Sequence, residues 1–133
     1  MLQGSPLYVR LVRRRRARVM AALQERTRQR RDHLVIQQWH RGRAVAEARY
    51  DPRSQTIVAL WVSWRYRRLG LARRLTEAVL RHAAAEGAPR VQLSLRPGHW
   101  PARRLCAQLG FQIVGHAGPS DDPTLLLERR LAP

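Results

Sequence analysis

Apolar and polar positions divide the chain into two halves of different character. Leu7-Tyr8-Val9-Arg10-Leu11-Val12 is rich in aromatic and β-branched residues and predicts a first strand. From Arg13 to Arg31 the spacing turns helical: Val12, Val19, Met20 and Leu23 fall on one stripe while Arg14, Arg15, Arg18 and Arg28 fall elsewhere. Positive charge at a helix start opposes the helix dipole by about 0.3–1 kcal/mol per residue. The run Arg13–Arg16 therefore belongs to a longer strand, faces solvent, or faces an anion. Leu34 to Trp39 predicts a strand, His40 to Arg43 a turn and Ala44 to Tyr50 the hairpin partner. After the turn Asp51–Ser54, the β-branched and aromatic residues of Thr56 to Val62 predict a central strand, completing an antiparallel meander.

The second half alternates helices with strands. Leu71 to Glu86 carries Leu71, Leu75, Ala78, Val79 and His82 on one face and Arg73, Arg74, Glu77 and Arg81 on the other, and Gly87 and Pro89 stop it. Arg90 to Leu95 predicts a strand. Pro101 opens a short helix with Ala102, Leu105, Cys106 and Leu109 on its apolar face, ended by Gly110. Phe111 to Gly115 and Thr124 to Leu131 predict the last two strands, joined by the loop 118–123. The resulting order, β-α-β-β-β-α-β-α-β-β, is that of an α/β (α+β) fold.

Composition narrows the class. The chain has 133 residues, 44% of them hydrophobic, which is the size of one ordinary domain spanning residues 1–133. The longest uninterrupted apolar run, Ile57 to Val62, is far short of the ~20 residues a bilayer crossing needs, so no membrane partner is expected. The start of the chain lacks an apolar stretch followed by a small-residue cleavage site, and Cys106 is the single cysteine. A cytoplasmic location and no metal site follow as expectations. The formal net charge is +17, with 26 basic residues, all of them Arg, against 9 acidic ones. Such a field attracts phosphate of any kind, in nucleic acid, lipid or a phosphorylated cofactor.

The segment Trp61-Val62-Ser63-Trp64-Arg65-Tyr66-Arg67-Arg68-Leu69-Gly70-Leu71-Ala72-Arg73-Arg74-Leu75 is a strand running through a Gly-containing turn into a helix. The unpaired N–H groups of a helix's first turn and the positive end of its dipole make a phosphate cradle, and Gly70 and Ala72 let oxygens approach the backbone. The segment has neither the Gly-Lys-Ser/Thr of a P-loop nor the three-glycine dinucleotide fingerprint.

In these residues the chain resembles the GNAT superfamily of N-acetyltransferases. The hallmark of that family is Arg or Gln, two residues, Gly, one residue, then Gly or Ala; here it reads Arg67, Arg68, Leu69, Gly70, Leu71, Ala72. Downstream, Pro101 to Phe111 looks like the family's short helix ending in Leu-Gly-Phe. Element order agrees from Leu34 onward, while residues 1–33 are atypical and shortened. The resemblance implies a twisted mixed sheet flanked by helices, and acetyl-CoA as co-substrate. It implies that the pyrophosphate rests on the backbone of Arg67, Arg68, Leu69, Gly70, Leu71, Ala72 and Arg73, and the pantetheine arm along Leu60, Trp61 and Val62. A main-chain N–H on that strand would stabilise the charge developing on the thioester oxygen when an amine attacks.

Acid and base are not fixed by the same resemblance. Where relatives similar to the ribosomal-protein alanine acetyltransferases have Glu, Asn and Tyr, this chain has Ser94, His99 and Cys106. Cys106 is a candidate proton donor or a small apolar helix residue. His99 is a candidate base or cofactor contact, or a helix cap. Glu47, beside the central strand, is the best remaining base, or a solvent-facing strand charge. Asp121 and Asp122 either hold an amine or shape a turn. The expected activity is acetyl transfer to a primary amine, on a protein N-terminus, a side chain or a small molecule. The alternative is a catalytically weakened basic module binding CoA or nucleic acid. A nucleic-acid or ribosomal partner and a homodimer both stay open at this point.

Overall fold

The computed structural model describes residues 6–131. Their elements run α1 (Pro6–Ala22), β1 (Gln24–Arg30), β2 (His33–His40), β3 (Arg43–Asp51), β4 (Thr56–Val62), α2 (Leu71–Ala85), β5 (Arg90–Leu95), α3 (Trp100–Gln108), β6 (Gln112–Ala117) and β7 (Thr124–Arg130). The strands form one mixed sheet in the order β1-β2-β3-β4-β5-β7-β6. Neighbours are antiparallel except β4 and β5, which run parallel. The α/β class and the flanked mixed sheet are thus as expected.

The N-terminal segment differs from expectation. Leu7 to Val12 is helical, within α1, and the strand lies later, at β1, where a helix was expected. The observed order therefore begins α-β rather than β-α. All seven residues of β1, Gln-Glu-Arg-Thr-Arg-Gln-Arg, are exposed, so neither face carries the apolar alternation by which a half-buried strand is recognised. Pairing with β2 along its whole length, from Gln24↔Trp39 to Arg30↔His33, makes it a strand. Arg26 lies over the Trp39 ring at 3.9 Å, and the Gln38 amide donates to Glu25 Oε1 at 3.0 Å. These contacts with a distant segment override local propensity.

The core forms where the amphipathic patterns predicted it. On α2, Leu71, Leu75, Ala78, Val79 and Ala83 are buried, and the helix lies across β2, β3, β4 and β5. Leu34, Ile36, Ala46, Ala48 and Tyr50 join the same cluster, as do Leu93, Leu125 and Leu127. Each fully buried Leu or Val contributes roughly 1.5–3 kcal/mol relative to exposure. The Leu-Gly-Phe segment closes α3. Gly110 takes a φ of +87°, its N–H donates to Ala107 O at 3.1 Å, and the Phe111 N–H donates to Cys106 O at 2.9 Å. That pair of bonds caps the helix and drops the Phe111 ring into the core.

Candidate active site

β4 leads into the site. Beyond Val62, the Ser63 N–H donates to Val45 O at 2.8 Å, and a single 3-10 turn, Trp64–Tyr66, reverses the chain. Two residues of the following turn then adopt left-handed backbone, Arg68 at φ +63° and Gly70 at φ +89°. Leu69 between them is buried and pins the loop to the core. The first helical bond of α2 runs from the Arg74 N–H to Gly70 O at 3.1 Å. The N–H groups of Arg68 and of Gly70 to Arg73 have no acceptor among the described residues, and no side chain caps the helix, while buried Leu69 ends the tight turn over Arg67 and Arg68. Five backbone donors are thus left open on one turn at the positive end of α2. Such an arrangement is able to seat an anion.

The sheet opens beside this turn. β4 and β5 share one register pair, Thr56↔Gln92, backed by the Gln92 N–H donating to Gln55 O at 2.8 Å. Beyond it the strands diverge, so the β5-facing backbone of Ile57 to Val62 has no strand partner among the described residues. Leu60 and Trp61 in that stretch are partly exposed. The result is a length of unpaired strand backbone that ends, in sequence, at the turn with the open N–H groups.

Arginines gather around the seat. Arg73 donates to Gln108 Oε1 and lies 3.6 Å from Glu77, fixing α2 against α3. Two further guanidiniums come from α1. Arg15 Nη2 donates to Arg65 O at 3.0 Å, and Arg16 Nη2 lies 3.3 Å from where a Cβ on Gly70 would stand. This contact depends on how α1 crosses the turn, which the spacing of Arg13–Arg16 along the chain does not reveal.

Glu47 sits elsewhere, on β3 opposite Gln37 and Trp61 in register. It is buried, and both oxygens of its carboxylate are hydrogen-bonded. It accepts from Gln37 Nε2 at 2.7 Å, Arg49 Nε at 2.9 Å and Trp61 Nε1 at 3.3 Å. Trp39 Nε1 extends the network to Gln37 Oε1 at 2.9 Å. Burial pushes the carboxyl up, but the hydrogen bonds from Gln37, Arg49 and Trp61 and the Arg49 charge outweigh it and hold the group below its ordinary value. A cavity of about 460 Å³ adjoins the cluster at the end of β4, with Arg43, Val45, Ser63, Trp64 and Tyr66 in its wall. Here Tyr66 and His40 Nδ1 share a 2.7 Å hydrogen bond.

The other candidates are dispersed. Cys106 is buried on α3, and burial pushes its thiol up to about 11, so it keeps its proton at neutral pH. His99 caps α3, its Nδ1 accepting from the Ala102 N–H at 3.3 Å. Ser94 is exposed on β5. Asp122 lies 4.0 Å from Arg96 and closes the loop before β7 through its N–H to Pro119 O, while Asp121 is exposed beside it. Among the described residues no group of His, Cys, Asp and Glu is placed to hold a metal ion, and no helix is long and apolar enough to cross a membrane.

The sequence model of the acetyltransferase (GNAT) family matches residues 7–111. No curated protein sequence matches this chain. Solved structures share the fold. The ribosomal-protein-S18-alanine N-acetyltransferase from Escherichia coli superposes with a TM-score of 0.68 at 22% identity, over 77% of this chain and 71% of that one. A GNAT family acetyltransferase from Elizabethkingia anophelis, with acetyl-CoA bound, gives 0.71 at 9% identity, over 83% and 99%. Aminoglycoside 6'-acetyltransferase type Ii gives 0.67 at 15% identity, over 77% and 72%.

Proposed function

The chain belongs to the acetyltransferase (GNAT) family, and from that premise we propose that it transfers an acetyl group from acetyl-CoA to a primary amine. The observation that carries this reading is the set of open N–H groups on the turn, at Arg68 and from Gly70 to Arg73, preceded by unpaired β4 backbone. The fit is chemical as well as geometric. Five donors and a helix N-terminus suit a diphosphate, and the unpaired backbone of Leu60 to Val62 suits the amide-bearing pantetheine arm. The co-substrate supplies the activated thioester. The chain's part is to hold its phosphates, align its carbonyl against a β4 N–H that stabilises the charge developing on oxygen, and admit the amine.

The acceptor is proposed by analogy with solved structures named for an alanine of ribosomal protein S18 and for aminoglycosides, both amines. An α-amino group, with an ordinary pKa near ~8, is deprotonated often enough near neutrality to attack with modest help from a base. That suits a site where Glu47 is fully hydrogen-bonded and the Cys106 thiol is held high. Calorimetric titration with acetyl-CoA, followed by release of free thiol in the presence of peptides and small amines, tests the reading. Tight binding and amine-dependent thiol release are expected; no binding of acetyl-CoA would refute it.

A second reading, a basic module with little catalytic power, is favoured by the ten arginines between residues 6 and 31 set against the lone carboxylate Glu25. Its mark would be nucleic-acid binding that weakens steeply with salt while acetyl-CoA yields no thiol with any amine.

A further inference from the structure

We propose that α1 supplies a side-chain ligand to the phosphates held by the turn: the Arg16 guanidinium, set over Gly70, with Arg15 anchoring the helix to the loop. This rests on the reading of the turn as the seat of a CoA thioester, and extends that seat from backbone to side chain and from α2 to the N-terminal helix.

Three contacts dock α1 on the turn. Arg15 reaches the Arg65 carbonyl, Arg16 stands 3.3 Å from the Cβ position at Gly70, and Arg74 Nη1 of α2 reaches back to Met20 O at 3.2 Å. Helical geometry explains why these arginines are the ones used. Val19 is the buried residue of α1, and at about 100° per residue Arg15 and Arg16 lie on either flank of it, whereas Arg10, Arg13, Arg14 and Arg18 lie further round. The inward flank therefore meets the turn and the outer face does not.

The charges point to an occupant. Arg16 sits at the positive end of the α2 dipole, on a turn that itself carries Arg67 and Arg68. Among the described residues no carboxylate lies within 4.0 Å of Arg15, Arg16, Arg67, Arg68 or Arg74. Arg15 and Arg74 have carbonyl partners, but the like charges repel one another, and a multiply charged anion among them turns that repulsion into attraction. A guanidinium offers a planar fork that matches two phosphate oxygens, and the open N–H groups of the turn supply the remaining donors. The ligand class is a thioester carrying a diphosphate or phosphomonoester. A thioester without phosphate would make no use of α1.

The test is calorimetric titration of the full chain with acetyl-CoA and with S-acetylpantetheine, which lacks the phosphates. Arg16→Gln is expected to weaken acetyl-CoA by about tenfold or more, the loss of one charge-assisted bond, and to leave S-acetylpantetheine unchanged. Arg14→Gln removes the same charge from the same helix about 200° away, and is expected to stay within about twofold. Arg16→Lys, which keeps charge and stem but not the fork, recovers part of the affinity. Wild-type affinity in Arg16→Gln, or an equal loss in Arg14→Gln, would overturn the proposal while leaving the cofactor reading intact. Failure of the wild type itself to bind acetyl-CoA removes both. Unchanged far-ultraviolet circular dichroism certifies that each variant is folded.

Discussion

The turn after β4 and the cluster around Glu47 lie at the same end of the β3–β4 pair, Glu47 standing opposite Trp61 just before the strand ends, and they are built by opposite means. In the turn, the N–H groups of Arg68 and of Gly70 to Arg73 have no acceptor among the described residues, on backbone shaped by two left-handed residues and a buried Leu69. In the cluster Gln37, Arg49 and Trp61 close on one carboxylate and Trp39 closes on Gln37. No buried side-chain nitrogen or oxygen lacks a partner among the described residues. The contrast separates backbone donors left open from a side-chain network closed on itself. Open donors at low cost to the fold occur where solvent can stand in for the ligand, whereas a carboxylate taken out of water must be satisfied by the protein itself.

Substitutions can break this contrast or sharpen it. The largest effect is expected at Gly70. Gly70→Val forces a β-branched residue into φ +89° and drives its side chain against Arg16, so acetyl-CoA affinity should fall about a hundredfold or more in calorimetry. Unchanged affinity would mean that the open N–H groups are not the seat. Glu47→Gln is expected to act on stability. It leaves Arg49, Gln37 and Trp61 facing an amide, at a cost of about 2 kcal/mol read from the urea midpoint, with acetyl-CoA affinity unchanged.

The pH dependence carries the same sign. A carboxyl held below its ordinary value stabilises the fold fully above that value, and the contribution is lost as pH falls through the folded-state one. Wild type should therefore lose melting temperature below about pH 4.5 more steeply than Glu47→Gln. A collapse of turnover at neutral pH in Glu47→Gln with stability intact would make the cluster a working base instead. The smallest effect belongs to His99. Removing its cap on α3 in His99→Ala should lower stability by about 1 kcal/mol and leave binding and turnover alone, as urea unfolding and a thiol-release assay would report.

The same contrast explains what could be read from the chain. The turn was legible because Gly70, with the strand before it and the amphipathic helix after it, specifies its backbone geometry locally. The meander from β2 to β4, α2, β5 and the Leu-Gly-Phe end of α3 were legible for a related reason: their apolar periods and their Gly and Pro stops agree with the packing they reach. α1 and β1 were not. The Leu-Tyr-Val and Leu-Val stretches of α1 favour a strand by composition, and β1 has no buried face to set a period. Arg16 at the turn and Glu47 amid its donors are consequences of tertiary approach, which residue spacing along the chain does not encode.

β1 carries one more consequence. It is the outermost strand at its end of the sheet, and its far backbone edge has no strand partner among the described residues. Such an edge is the usual point at which a second chain adds on and aggregates grow. Here Arg26, Arg28 and Arg30 recur along it at alternate positions. A second copy laid against this strand would bring its own positive row into register with the first. The property that concealed β1 as a strand, its lack of any apolar face, also protects the sheet from being extended by another.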